Sequence, residues 1–150
     1  MGERLDPQKQ RVYDAEYAAF ATERARGYLE LAELQGFLDE IVRAPWFRAR
    51  WPGVRVPVLD GRGWPEARAS VAGLQLPKHA RFKYFVLHEL THWIDHTGGE
   101  DHGSVFCGLY LHFVEKTYGT WRAGTLAKEF RARGVAGDKW TKRYGRTEHP

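Results

Sequence analysis

One cysteine stands in 150 residues, so Cys107 cannot close an internal disulfide. A disulfide-stapled secreted scaffold is thereby excluded, and a reducing compartment is the expectation. Seven prolines and sixteen glycines are too few for a collagen-like or low-complexity chain. No stretch reaches the roughly 18 uncharged apolar residues that a membrane span needs, because Arg, Lys, His or Glu interrupts every apolar run. The first residues, MGERLDPQKQR, lack the apolar run of a secretory signal. A soluble cytoplasmic protein with no membrane partner is expected. Internal repeats are also missing.

What is present is a globular composition: 43% hydrophobic, 14% aromatic and 28% charged. A chain of this length buries about 70% of the surface its unfolded form exposes, enough for one domain over residues 1–150. The net charge of +4 is unevenly placed. Residues 1–120 hold 15 Lys/Arg against 16 Asp/Glu, whereas residues 121–150 hold 8 against 3. The basic excess therefore sits at the C-terminal end, as an anion-facing surface would require.

From about Gln8 to Arg43, Tyr13, Tyr17, Phe20, Leu31, Leu34, Leu38 and Ile41 recur at helical intervals. Gly27 and Gly36 interrupt the pattern, which leaves one bent helix or two consecutive helices open. Val54, Val56 and Val58 alternate with Arg55 and Pro57 as a short strand, followed by the turn Asp60-Gly61-Arg62-Gly63. A second strand is expected from Ala69 to Leu76, with Pro77 marking an edge or an end, so that its free edge could pair with an extended peptide. Three helices should follow. They span about Ala80 to His96, Ser104 (as N-cap) to Tyr118 with Gly119 behind it, and a stretch that starts after Thr120 and reaches about Arg133. Residues 135–150 read as a loosely ordered basic tail. N-terminal helices, a small sheet and C-terminal helices make an α+β domain.

Five of the seven histidines lie between positions 88 and 112, and among them stands His88-Glu89-Leu90-Thr91-His92, an HExxH motif. Residues four apart on a helix share a face, so both imidazoles can reach one zinc ion at about 2.0–2.1 Å. Glu89 adjoins that face and can engage a water at the metal without displacing either histidine. Phe82, Phe85, Val86, Leu90, Trp93 and Ile94 are available to anchor the other faces in a core. A catalytic zinc site takes three protein ligands and leaves a position for water. His102 can supply the third, since the Gly98-Gly99 turn lets the chain fold back. Asp101, His96, Glu115 and, more distantly, Cys107 are the alternatives. Asp95 could hold a ligand histidine's second nitrogen, and Tyr110, His112 or Tyr118 could polarise a substrate carbonyl. Packing is the simpler reading of those three, as it is of Trp46, Trp51, Trp64 and Trp121.

His88-Glu89-x-x-His92 followed by His102-Gly103-x-x-Phe106 resembles the SprT-like metallopeptidases, whose third zinc ligand is the histidine of an HGxxF/W motif. Over about residues 11–135 the chain also resembles a group of metallohydrolases from actinobacteria and their phages. The features shared with that group are Arg11-Val12-Tyr13, Leu76-Pro77-Lys78-His79-Ala80-Arg81, the HExxH motif and the HGxxF motif. The link from His92 to His102 is shorter than in many SprT proteins, and their C-terminal zinc ribbon has no counterpart beside a lone Cys107. The only methionine is Met1, so no Met-turn exists. The resemblance implies a zincin-like domain and a zinc-dependent peptidase, with His88, His92 and His102 as ligands, Glu89 as general base, and a peptide or protein substrate. Two other readings stand beside it. One is a SprT-like protease associated with nucleic acid, which would use the run Lys139-Trp140-x-Lys142-Arg143-Tyr144-x-Arg146. The other is an interaction module stabilised by a structural zinc.

Overall fold

The computed structural model describes residues 6–95 and 101–136. In chain order these form α1 (Lys9–Ala19), α2 (Ala21–Arg26), α3 (Leu31–Arg43), α4 (Pro45–Arg48), β1 (Val58–Asp60), β2 (Arg68–Ser70) and β3 (Gly73–Leu76). There follow a 3-10 turn (Lys78–Ala80), α5 (Lys83–Ile94), α6 (Ser104–Tyr118) and α7 (Thr120–Ala132). The fold is thus mixed α+β, with seven α-helices and one three-stranded sheet among the described residues. None of those helices is long and apolar enough to cross a membrane. Two compact units make up the chain: residues 22–93, and residues 1–21 together with 94–150.

Within residues 22–93, Gly27 stops α2 by taking a φ of +94°, a left-handed conformation that costs glycine little. The N-terminal helical stretch is consequently three helices, α1 to α3, more than the periodicity alone conveys. α3 starts with a reciprocal capping box between Glu30 and Glu33. It buries Leu34, Leu38 and Ile41, one apolar stripe at intervals of four and three. Pro45 opens α4, where a missing N–H costs nothing. Phe47 is buried there, with the rings of Trp46 and Trp51 5.8 and 5.0 Å away.

The sheet has the order β1-β3-β2. β1 runs parallel to β3, Val58 opposite Leu74, and β2 runs antiparallel to it, Ala69 opposite Leu74. Two expectations need correction. The strand expected over Ala69 to Leu76 is a hairpin, because Ser70 Oγ accepts the Ala72 N–H and Gly73 turns the chain at φ +142°. β3, moreover, is central and has no free edge for a peptide; the outer strands are β1 and β2. β1 also begins later than the valine alternation suggests. Pro57 has no N–H to give a ladder, and the Gln35 side chain occupies the Val56 carbonyl and the Val58 N–H.

In the other unit, α6 buries nine consecutive residues, Phe106 to Val114. A helix apolar on every face belongs in the middle of its neighbours. α7 packs against both α1 and α6, and Tyr110 on α6 donates a 2.7 Å hydrogen bond to Glu16 on α1. Gly103 caps α6, so Ser104 is the first helical residue instead of the cap. Residues 135 and 136, expected to begin a loose tail, are held: Val135 is buried, and the Ala136 N–H donates to Gln8 Oε1. The rest of the basic tail lies outside the described residues.

Gly73 gives a direct check on the hairpin. A Cβ there would collide with the Pro57 carbonyl oxygen in a backbone conformation that L-residues avoid. Gly73→Ala should lower stability by about 1–3 kcal/mol, read from the urea midpoint of unfolding.

Candidate metal centre

α5 is built to hold polar groups in a dry place. Tyr84 and the whole run from Val86 to Thr91 are buried. Thr91 satisfies its hydroxyl locally by donating to the Leu87 carbonyl at 2.7 Å. His88 is 1% exposed and Glu89 4%, whereas His92 is half-buried. The imidazoles of His88 and His92 stand edge to face, with ring centroids 5.0 Å apart, as residues one turn apart on a helix must. The Glu89 carboxylate lies 4.0 Å from Nε2 of His88.

His102 is held by contacts with α1, α6 and the residues leading into α1. Its Nδ1 is 2.7 Å from Asp6 Oδ2, and its backbone N–H donates to Asp6 Oδ1 at 3.2 Å. Its carbonyl accepts from Gln8 Nε2 at 2.9 Å and, more weakly, from the Cys107 thiol at 3.7 Å. Tyr13 and Phe106 press on the ring, with centroids 5.3 and 4.9 Å away. The HGxxF pattern acquires a physical meaning from these contacts. The histidine is followed by the helix-capping glycine, and the phenylalanine one helical turn later packs on the imidazole. Because Asp6 holds Nδ1, Nε2 is the nitrogen that would serve a metal, the arrangement usual for histidine ligands.

One ligand atom from each of His88, His92 and His102 lies within 4.8 Å of the other two. No known protein family, curated protein or solved structure matches this chain. The histidine geometry has to be judged on its own chemistry. Tetrahedral zinc with Zn–N bonds of about 2.0–2.1 Å sets its nitrogens roughly 3.4 Å apart. Three neutral imidazoles suit zinc and other borderline divalent cations. The residues fit a metal ion.

The other sequence candidates separate cleanly. Asp101 is exposed, and Glu115 sits half-buried on α6, thirteen residues beyond His102; neither joins the histidine group. Cys107 is buried, and burial, reinforced by the nearby negative charges of Glu16 and Asp6, pushes its thiol well above the usual range. It stays a thiol bonded to a carbonyl, unlike the thiolate that binds metals. Asp95 is half-buried just past the end of α5. His96, the Gly98-Gly99 turn and the run Lys139 to Arg146 lie outside the described residues. Tyr110 and His112 are core residues. Tyr118 is half-buried, its ring 5.3 Å from that of Phe20 and from the Arg122 guanidinium. Of the four tryptophans read as packing, Trp46 and Trp51 flank Phe47, Trp64 carries the Arg68 guanidinium 4.0 Å above its ring, and Trp121 is largely exposed.

Sequence reading missed Asp6, Gln8 and Glu16. Asp6 is 96 residues from its imidazole partner, so no local spacing could announce it. Glu16 is buried, and burial raises its carboxyl to about 8, opposed only in part by the Tyr110 hydrogen bond and the charge of His102.

Two outcomes follow. Asp6→Ala should weaken zinc binding by about 10–100-fold, measured by competition with a chelating dye, while circular dichroism stays unchanged. In the metal-free protein, folded Glu16 keeps its proton to about pH 8 and the unfolded chain releases it near 4.5. Its contribution to stability must therefore fall as pH rises through that interval. Urea titrations should show Glu16→Gln gaining stability relative to the parent from pH 5 to pH 8 (about three units), with no such trend if the carboxyl titrates normally.

Proposed function

We propose that this protein is a zinc-dependent hydrolase, specifically a peptidase, in which His88, His92 and His102 hold the ion and Glu89 is the general base. The observation that carries the reading is the convergence of three imidazoles, two of them buried, with a buried carboxylate 4.0 Å from His88 Nε2. A purely structural role for Glu89 gives no reason to bury an acid beside that nitrogen. The resemblance of His88 to His92 and His102 to Phe106 to the SprT-like pattern supports the same assignment.

Zinc bound there would bring the pKa of a coordinated water down towards about 7 and polarise a scissile carbonyl. The chain's own residues do the rest. Glu89 accepts the proton of the attacking water and passes it to the departing amine, one carboxylate acting first as base and then as acid. Asp6 holds the His102 ring so that Nε2 faces inward, and Phe106 and Tyr13 keep that ring from turning. His92 is half-buried, unlike His88 and His102.

Glu89→Gln is the decisive variant. Zinc stoichiometry by elemental analysis should stay at one per chain, while hydrolysis of a denatured protein such as casein falls by about 10²–10⁴-fold. Full activity in that variant would refute the mechanism, and so would freshly purified protein that contains no divalent metal and takes up none.

A further inference from the structure

A second concave site lies within residues 22–93 and uses none of the histidines. α3, α4 and the extended segment Gly53 to Pro57 enclose a hollow of about 570 Å³. That size falls within the range of small-molecule pockets, roughly 300–1,000 Å³. Three guanidiniums line it: Arg43 from the last turn of α3, Arg48 from the end of α4, and Arg55 from the returning segment. None of the three has a hydrogen bond or ion pair with any described residue. Asp39, four residues before Arg43 on α3, is the only acid in the lining, and its Oδ1 is engaged by the Gln35 amide at 3.0 Å.

The base of the hollow is fixed before any ligand arrives. The same Gln35 side chain donates to the Val56 carbonyl at 3.0 Å and accepts the Val58 N–H at 2.6 Å, clamping the extended segment to α3. Gly53, at φ +75°, allows the reversal that brings this segment back. Three arginines and one carboxylate therefore line one concavity, and the local excess of positive charge is two.

We propose that this hollow binds a small hydroxylated phosphate monoester, such as a nucleoside monophosphate or a sugar phosphate. A phosphate monoester carries about −1.5 to −2 charge at pH 7, which matches the excess. Guanidinium forks pair with phosphate oxygens two bonds at a time, the geometry in which arginine surpasses lysine. Inorganic phosphate alone would leave most of the volume empty, so the ligand has an organic body. Asp39 accepts only from donors and repels phosphate, which places a ligand hydroxyl at that wall. The single acid also disfavours a polyanion lying along the groove, where each further phosphate would meet it.

Calorimetric titration of the metal-loaded full chain with AMP and with glucose 6-phosphate, in about 0.1 M NaCl, tests the proposal. At least one should bind at a single site with Kd below about 1 mM, while adenosine and glucose do not. The variant carrying Arg43→Gln, Arg48→Gln and Arg55→Gln should lose about 100-fold or more in affinity. These arginines are exposed, so its circular dichroism and zinc content should match the parent. Asp39→Asn should weaken the hydroxylated probe about tenfold relative to inorganic phosphate. Four results would overturn the idea: no saturable binding of either ester, binding that survives loss of the arginines, equal binding of adenosine or glucose, or binding of a single-stranded oligothymidylate in place of the monoesters. Retained zinc with any of these would leave the hydrolase reading untouched.

Discussion

A buried imidazole has two ring nitrogens, and in a dry environment each needs a partner. His102 meets that constraint asymmetrically. Asp6 takes Nδ1 at 2.7 Å, which leaves Nε2 as the nitrogen that could serve a metal. Much of the surrounding structure follows from holding that ring still. The segment before α1 supplies Asp6 and Gln8, α1 supplies Tyr13, and α6 supplies Phe106 and the Cys107 thiol. Gln8 serves twice, since its amide oxygen also accepts from Ala136. A charge-assisted contact of this kind is stronger than a neutral hydrogen bond and tightens further as the local dielectric falls.

α5 solves the complementary problem. Its apolar residues anchor it in the interior, and that same burial removes water from His88 and Glu89. Leaving polar side chains dry costs several kcal/mol unless they find partners, and Thr91 on the same helix meets that need by donating to the Leu87 carbonyl. α6 is the more apolar helix, and there the Tyr110 hydroxyl donates to Glu16 Oε2. Glu16 holds a proton well into the neutral range because no solvent reaches it.

The sequence made the helices and the HExxH pair legible, since both rest on spacings of three and four within one element. α7 and the end of α6 at Gly119 lie where the glycines and the apolar period put them. The sheet was harder. Ala69 to Leu76 reads as one strand because a two-residue hairpin turn without Asn-Gly or Asp-Gly leaves little trace in composition. β3 is central because it pairs with β1 from a distance in sequence, a relation that no window of residues contains. Gln35 likewise reads as an ordinary helix-surface amide, yet it fixes both the start of β1 and the floor of the arginine-lined hollow.

Local chemistry alone therefore determined that two imidazoles and a carboxylate share one stretch of helix, because helical geometry couples residues one turn apart irrespective of context. Tertiary structure decided which acid holds the His102 ring, and which arginines have no ionic partner among the described residues. Those outcomes depend on distances between residues far apart along the chain, and such distances are set by how the elements pack.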